Sequence, residues 1–244
     1  MSSPPVFLAE RSQLGADSLV LSGSEGRHAA TVRRLRPGER VDLTDGRGVL
    51  AECVVTGAER DELRCEVRAR YEEPPPAPRL VVVQALPKGE RGELAVEGLT
   101  EVGVDAVVPW AASRCVARWK GERGAKALAR WRSTAREAAK QSRRRWFPEV
   151  TELASTTEVA ARLAAAGLAV VLDEAAPASL SALTVPGAGE LFAVVGPEGG
   201  LTGEELDTFR DAGATPVRLG SSVLRTSTAG VAAAAVLLTR SGRW

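Results

Sequence analysis

The segment LFAVVGPEGGLTGEEL, residues 191–206, decides the fold class. An apolar run from Leu191 to Val195 is followed by a loop with three glycines and then by Thr202-Gly203-Glu204-Glu205. The apolar run predicts a strand buried on both faces, and the Thr-x-x-Glu pattern is the capping box that begins many helices. We therefore predict a strand, a loop from Gly196 to Leu201, and a helix whose first amide groups remain free beside that loop.

The same alternation of strand and helix occurs throughout the C-terminal two thirds of the chain. Apolar strand-like runs lie at Leu80–Ala85, Ala106–Val108, Ala169–Leu172, Leu191–Val195 and Val217–Leu219. Helix-like stretches follow them at Gly92–Val102, Arg123–Arg144, Thr157–Ala166, Gly203–Ala212 and Thr226–Thr239. Five such units predict an α/β fold, in which helices cover both faces of a parallel sheet.

A proline-rich segment divides the chain. Residues 74–78 carry four prolines in five residues, which favours a stiff connector between a domain at 1–73 and a domain at 79–244. The first piece contains short strand-like runs and a helical turn or two, and its glycines and aspartates mark turns. The runs are Leu19–Leu21, Arg40–Thr44, Val49–Val55 and Leu63–Val67, with the helical turns at Ser24–Val32. Several short strands in about 70 residues suggest a small β-barrel.

Composition excludes several classes of protein. The 244 residues are 44% hydrophobic and 26% charged, as in ordinary globular proteins, and no apolar run is long enough for a membrane helix. The N-terminus has no signal-peptide pattern, and Cys53, Cys65 and Cys115 form no CxxC pair. We therefore expect a cytoplasmic protein without a disulfide framework, a metal site or a membrane partner.

A net charge of +1 hides a strongly basic segment. Residues 114–146 contain twelve Arg and Lys against two acids, and Arg132, Arg136, Lys140 and Arg143 fall on one stripe of the predicted helix. A second patch without an acid contains Arg27, His28, Arg33, Arg34 and Arg36. Each patch is either a solvated surface or a contact for a polyanion such as an RNA backbone.

Two loops are candidates for ligand binding, because ligands of open α/β sheets bind at the carboxyl ends of the strands. They are residues 196–201 and residues 219–229, although each could also be a plain turn. The chain lacks the GxGxxG and GxxxxGK[ST] motifs, which disfavours a nucleotide-dependent enzyme. The Ala-rich stretch after the second loop predicts a buried helix, packed in its own domain or also against a partner subunit.

Taken together, these residues resemble the RsmE family, the 16S rRNA uridine-N3 methyltransferases of the SPOUT or α/β-knot class. The resemblance is carried by Gly196-Pro197-Glu198-Gly199-Gly200, by Leu219-Gly220, and by Leu224-Arg225-Thr226 before an Ala-rich helix. Pro87-Lys88-Gly89 and the segment from His28 to Gly38 also fit the family. The chain differs in having Ser222 and Ser227 where the family often has a basic residue and Glu.

The resemblance implies an N-terminal PUA-like β-barrel, a parallel-sheet domain with a deep trefoil knot, and a homodimer with the last helix in its interface. It implies S-adenosyl-L-methionine as cofactor and 16S rRNA of the small ribosomal subunit as partner. The expected cofactor-binding residues are Leu172, Gly196, Pro197, Glu198, Gly199, Gly200, Leu201, Leu219, Gly220, Val223, Leu224 and Thr226. The expected RNA-binding residues are Arg27, His28, Arg33, Arg34, Arg36, Lys88, Arg132, Arg136, Lys140 and Arg143.

We expect Arg225 to be catalytic, because a cation could stabilise the anion that develops when uridine N3 loses its proton. The same arginine could instead pair with a structural carboxylate or a phosphate. Glu198 could steady the cationic cofactor or cap its loop. Two other functions remain open at this point: a SPOUT methyltransferase with a different RNA target, and a non-enzymatic RNA-binding protein that keeps the fold.

Overall fold

The structure is a computed structural model that describes residues 3–244, and the chain divides into two compact units. The N-terminal unit contains the chain up to Pro75 together with residues 139–147. The C-terminal unit contains residues 76–138 and 148–244. Across residues 3–244, the helices are all too short or too polar to cross a membrane.

The N-terminal unit is a five-stranded sheet with short helices. Its strands are β1 (Val6–Leu8), β2 (Ser18–Leu21), β3 (Arg40–Thr44), β4 (Val49–Glu59) and β5 (Glu62–Glu72), in the order β1-β3-β4-β5-β2. Helix α1 (Arg11–Leu14) precedes β2, and α2 (Gly23–Arg27) continues into a π-helical turn at His28–Val32. The four strands and the helical turns predicted in this unit are confirmed, whereas β1 and α1 were not predicted.

The C-terminal unit is built on six parallel strands. They are β6 (Arg79–Ala85), β7 (Ala106–Trp110), β8 (Glu149–Val150), β9 (Leu168–Leu172), β10 (Glu190–Val195) and β11 (Thr215–Val217), in the order β11-β9-β10-β6-β7-β8. The helices are α3 (Arg91–Val102), α4 (Gly121–Gln141), α5 (Thr156–Ala164), α6 (Gly203–Asp211) and α7 (Thr226–Arg240), with a 3-10 turn at Leu180–Ala182. All five predicted helices are confirmed.

The central strands of this sheet are buried along almost their whole length, because helices cover the sheet. In β6 and β10 every residue after the first is buried. Helix α7 packs against these two strands and against α3, and α5 packs against α6. Burial of two continuous apolar strands at the centre of the sheet supplies the main hydrophobic stabilisation of the unit.

The strand order fixes where the loops meet. Strand β9 lies between β10 and β11, and Val217 of β11 pairs with Leu172 at the end of β9. Because all three strands are parallel, the loops that follow them leave the sheet at the same edge. The loops after β10 and β11 are therefore neighbours in space, although a helix separates them in sequence.

Candidate active site

A cavity of about 910 Å³ lies at the carboxyl ends of β9, β10 and β11. Both predicted ligand loops line it, and so does the start of the segment after β9. Every residue expected to bind the cofactor or to be catalytic contributes to its wall: Leu172, Gly196, Pro197, Glu198, Gly199, Gly200, Leu201, Leu219, Gly220, Val223, Leu224, Arg225 and Thr226. The structure thus brings the two loops together, and the volume is in the range of small-molecule sites.

The loop after β10, which we call the first loop (residues 196–202), is held by hydrogen bonds to its main chain. Gly200 has a φ of +70°, a conformation that favours glycine, and its N–H donates to Pro197 O at 2.9 Å. The guanidinium of Arg114 donates to Gly199 O and Leu201 O, each at 3.1 Å. This role of Arg114 was not predicted, because Arg114 and Gly199 are 85 positions apart in the sequence.

Glu205 fastens the other end of the first loop. The predicted capping box is present, with the Glu205 N–H donating to Thr202 Oγ1 and the Thr202 N–H donating to the Glu205 carboxylate at 2.9 Å. That carboxylate also accepts a hydrogen bond from the N–H of Ser113 at 2.7 Å, and Glu205 is buried, with only 3% of its surface exposed. Burial by itself would raise the pKa of Glu205, but the hydrogen bonds from Ser113 and Thr202 outweigh it and lower the pKa.

Glu198 caps a neighbouring loop. Its Oε1 accepts the N–H of Lys88 at 3.1 Å, which ties the first loop to the segment between β6 and α3. This contact differs from the expected capping of Glu198's own loop, and the expected interaction with a cationic cofactor stays a prediction. The Glu198 side chain also lines the cavity, so a carboxylate remains beside the space that a ligand would fill.

The loop after β11, which we call the second loop (residues 218–225), has far fewer internal contacts. In the part of the chain that the structure describes, the amides from Gly220 to Leu224 donate no hydrogen bond to protein. These residues are exposed, with Val223 at 74%. Unpaired main-chain donors along one wall of a cavity suit a ligand that is recognised by hydrogen bonds to the backbone.

The arginines that line the cavity differ in what they bind. Arg114 is occupied by the first loop, and Arg218 donates to Ala176 O at 2.9 Å and to Pro177 O. Arg225 is exposed, and among residues 3–244 its side chain has neither a hydrogen bond nor an ion pair. Arg91, which sequence analysis did not single out, is exposed and equally unpaired within the same range.

Two residues of the basic stripe predicted on α4, Arg132 and Lys140, are paired with carboxylates in the structure. Lys140 is 7% exposed, and its Nζ lies 3.0 Å from Glu25, so this residue stabilises the N-terminal unit and cannot contact a phosphate. Arg132 donates to Val150 O and pairs with Glu152 at 2.7 Å. Residues distant in sequence supply these carboxylates, so the local absence of acids did not reveal them.

The other predicted RNA-binding residues lie on the surfaces of both units. In the N-terminal unit, Arg27, Arg33, Arg34, Arg36 and Arg143 are exposed, while the ring of His28 is half-buried. The His28 ring packs edge-on against Phe7, with the ring centroids 5.4 Å apart. In the C-terminal unit, Lys88 and Arg136 are exposed. Their role in binding RNA stays a prediction.

Comparison with known proteins identifies the family. A model of the RNA methyltransferase domain matches residues 73–238, and a model of the RNA methyltransferase PUA domain matches residues 21–68. A ribosomal RNA small subunit methyltransferase E from Mycobacterium bovis is 51% identical over 92% of this chain and 87% of its own length. The chain belongs to the RsmE family. The resemblance inferred from the motifs is thereby confirmed.

Solved structures of the family have the same fold. A ribosomal RNA small subunit methyltransferase E from Neisseria gonorrhoeae, bound to S-adenosyl methionine, superimposes with a TM-score of 0.87 at 28% identity, over 97% of this chain and 98% of that one. A methyltransferase from Legionella pneumophila with the same bound cofactor gives a TM-score of 0.86 at 26% identity, over 98% of both chains. The predicted fold class, a SPOUT domain with a PUA-like N-terminal unit, is confirmed.

Proposed function

We propose that the chain uses S-adenosyl-L-methionine to methylate N3 of a uridine in 16S rRNA of the small ribosomal subunit. The observation that carries the proposal is the single cavity lined by two loops, one fastened and one with unpaired amides. Family membership supports the reaction, since the relatives are ribosomal RNA small subunit methyltransferases and two solved relatives hold this cofactor.

The residues around the cavity fit this cofactor. The amides between Gly220 and Leu224 are free to hydrogen-bond an adenine ring, and at Gly220 no protein atom lies within 4 Å of the position of a side chain. The carboxylate of Glu198 lines the same space and offers a counter-charge for a sulfonium cation. The bound cofactor supplies an electrophilic methyl group, and the protein must orient the nucleophile toward it.

Arg225 has the position and freedom to stabilise the reacting base. The imide N3–H of uridine is a weak acid, so attack on a methyl group requires that the negative charge on N3 and on the carbonyl oxygens O2 and O4 be stabilised as the proton leaves. Arg225 lines the cavity and is the N-cap residue directly before α7, and its main-chain carbonyl accepts the N–H groups of Thr228 and Ala229 at 2.9 Å. The start of the helix therefore fixes the backbone of Arg225, while its guanidinium stays available to the base.

We propose that the chain forms a homodimer through α7. This helix leaves Val231, Ala232, Ala235 and Val236 only partly buried within one chain, and apolar side chains of this kind suit a homodimer interface.

We place the reaction in the cytoplasm, where ribosomal subunits are assembled, with no metal in the mechanism. The exposed arginines of the N-terminal unit and of α4 would contact RNA phosphates.

The experiment that tests the function is transfer of a labelled methyl group to small subunits that lack the modification, followed by identification of the base. Label in N3-methyluridine of 16S rRNA is the expected result. Label in another base or another RNA would show a SPOUT enzyme with a different target. Absence of transfer and of cofactor binding would leave only an RNA-binding protein.

A further inference from the structure

A second cavity, of about 240 Å³, lies between the start of α3 and the first half of α4 in the C-terminal unit. Two tryptophans, Trp119 and Trp131, and three arginines line it, so we call it the tryptophan cavity. None of these five residues belongs to the cofactor cavity, nor does the proposed reaction use them. At about 30 Å³ per water, the space holds several waters or one planar group.

The two tryptophan rings form a corner in the wall of this cavity. Their centroids are 4.9 Å apart and their planes lie at 79°, so the rings do not stack on each other. Trp131 is only 3% exposed as a whole, and within residues 3–244 its indole N–H donates no hydrogen bond. Gly92 lies directly against that edge of the ring, since a Cβ at Gly92 would be 2.7 Å from Trp131 Nε1. Because Trp131 lines the open cavity, this N–H can donate to a ligand that accepts a hydrogen bond.

The charge of the tryptophan cavity favours an anion. Arg118, Arg123 and Arg130 line it, together with a single acid, Glu93. Arg130 is 3.4 Å from Glu93, and Arg118 donates to the carbonyls of Ala112 and Ser113, which carry no charge. Arg123 is exposed and has no ion pair in the described part of the chain. Two positive charges are therefore left without a compensating carboxylate beside an aromatic corner.

Shared lining residues connect this cavity to the cofactor cavity. Gly89 lines the tryptophan cavity and also an intermediate cavity of about 410 Å³, which Lys88, Arg91 and Glu198 line as well. Arg91 and Glu198 in turn line the cofactor cavity. A continuous surface with Lys88 and Arg91 at its centre thus runs from the reaction site to the two tryptophans.

We propose that the tryptophan cavity binds a nucleotide of the substrate RNA that flanks the methylated one. The base of this nucleotide packs into the corner between Trp119 and Trp131 and accepts a hydrogen bond from the indole N–H of Trp131. The phosphate of the nucleotide binds Arg123. Aromatic faces together with arginines are the usual means of holding single-stranded nucleic acid. The proposal rests on the proposed function, since it assigns a second nucleotide of the same substrate.

Methyl transfer tests the charged part of this site. With Arg123→Gln, we expect the KM for small subunits to rise about tenfold, while kcat and the affinity for S-adenosyl-L-methionine stay unchanged. Arg162→Gln is the matched control, because Arg162 is an exposed arginine of α5 that lines none of these cavities. Equal KM values for the two variants would overturn the assignment of Arg123.

Crosslinking tests the aromatic part without relying on methyl transfer. An oligonucleotide that spans the target, substituted with 5-bromouridine at one neighbouring position at a time, is irradiated with the protein, and the crosslinked peptide is mapped by mass spectrometry. We expect one flanking position to crosslink at Trp119 or Trp131, and the crosslink to weaken in Trp119→Leu. Crosslinks confined to other segments would overturn the proposal. If the wild type crosslinks here but methylates no subunit, the function proposed above fails while the nucleotide site stands.

Discussion

The two loops of the cofactor cavity differ in how they are held. The first loop has a turn hydrogen bond, two contacts from Arg114 and the buried carboxylate of Glu205. The second loop has five consecutive residues whose amides find no partner in the described chain. We infer that one wall of the site is formed before the ligand binds, whereas the other wall is completed by the ligand.

The catalytic candidate belongs to the less constrained wall. Arg225 ends the second loop, and its side chain has no partner among residues 3–244, whereas Arg114 and Glu205 fasten the first loop. The second loop therefore carries both the amides proposed to bind the cofactor and the arginine proposed to stabilise the reacting base.

The largest effect should come from Arg225→Ala. We expect the rate of methyl transfer to fall about 100- to 1000-fold, as on loss of a group that stabilises developing negative charge, and Arg225→Lys to retain part of the activity. The affinity for S-adenosyl-L-methionine, measured by calorimetry, should change by less than about threefold. Equal losses in transfer and in cofactor affinity would contradict a role of Arg225 in the reaction.

Glu205→Ala should loosen the fastened wall. The substitution removes the buried carboxylate that accepts the N–H groups of Ser113 and Thr202, which should lower the free energy of unfolding by about 2–4 kcal/mol. Glu204→Ala is the matched control, since Glu204 is the exposed neighbour in the same helical turn. Thermal or denaturant unfolding measures the stability of both variants. Equal stability of Glu205→Ala and Glu204→Ala would contradict the role of Glu205 in holding the first loop.

Gly200→Val should weaken cofactor binding by at least about tenfold, because a β-branched residue is strained at a φ of +70° and the first loop must shift. Gly189→Val is the control for backbone strain, since Gly189 has a φ of +83° and lies outside the cofactor cavity. We expect both variants to lose stability but only Gly200→Val to lose affinity in calorimetry. Unchanged affinity in Gly200→Val would mean that the first loop does not shape the site.

The smallest effect is a dependence of stability on pH. The pKa of Glu205 is lowered in the folded chain, so its stabilising contribution is complete above the ordinary value near 4.5 and is lost as the pH falls through the lower folded value. The stability difference between the wild type and Glu205→Gln should therefore be constant near neutral pH and shrink in acid. A difference that grows as the pH falls would contradict the lowered pKa.

Local sequence patterns predicted most of the strands and helices, because buried strands and capping boxes are determined by neighbouring residues. A cofactor site shared by the two loops was implied by the resemblance to the RsmE family. Strand β1 was missed because three residues give no periodicity and its partner, β3, lies far along the chain. The last strand was predicted at Val217–Leu219 but occupies Thr215–Val217, where Pro216 is tolerated on an edge strand.

Contacts distant in sequence account for the other differences. Residues 139–147 belong to the N-terminal unit, and the pairing of Lys140 with Glu25 joins residues 115 positions apart. The same holds for Arg114, whose contacts with the first loop are what fasten it. The candidate cavity could be predicted because its residues follow two strands, whereas the groups that hold or line it from other segments could not.

Hydrogen–deuterium exchange of the whole protein, with and without S-adenosyl-L-methionine, tests most directly whether the two loops form one cofactor site with unequal walls. We expect the amides from Gly220 to Leu224 to exchange rapidly in the free protein and to become strongly protected with the cofactor. The amides of Gly200 and Thr202 should gain much less protection, because they already donate to Pro197 O and to the Glu205 carboxylate. Equal exchange of Gly220 to Leu224 in both states would contradict the account.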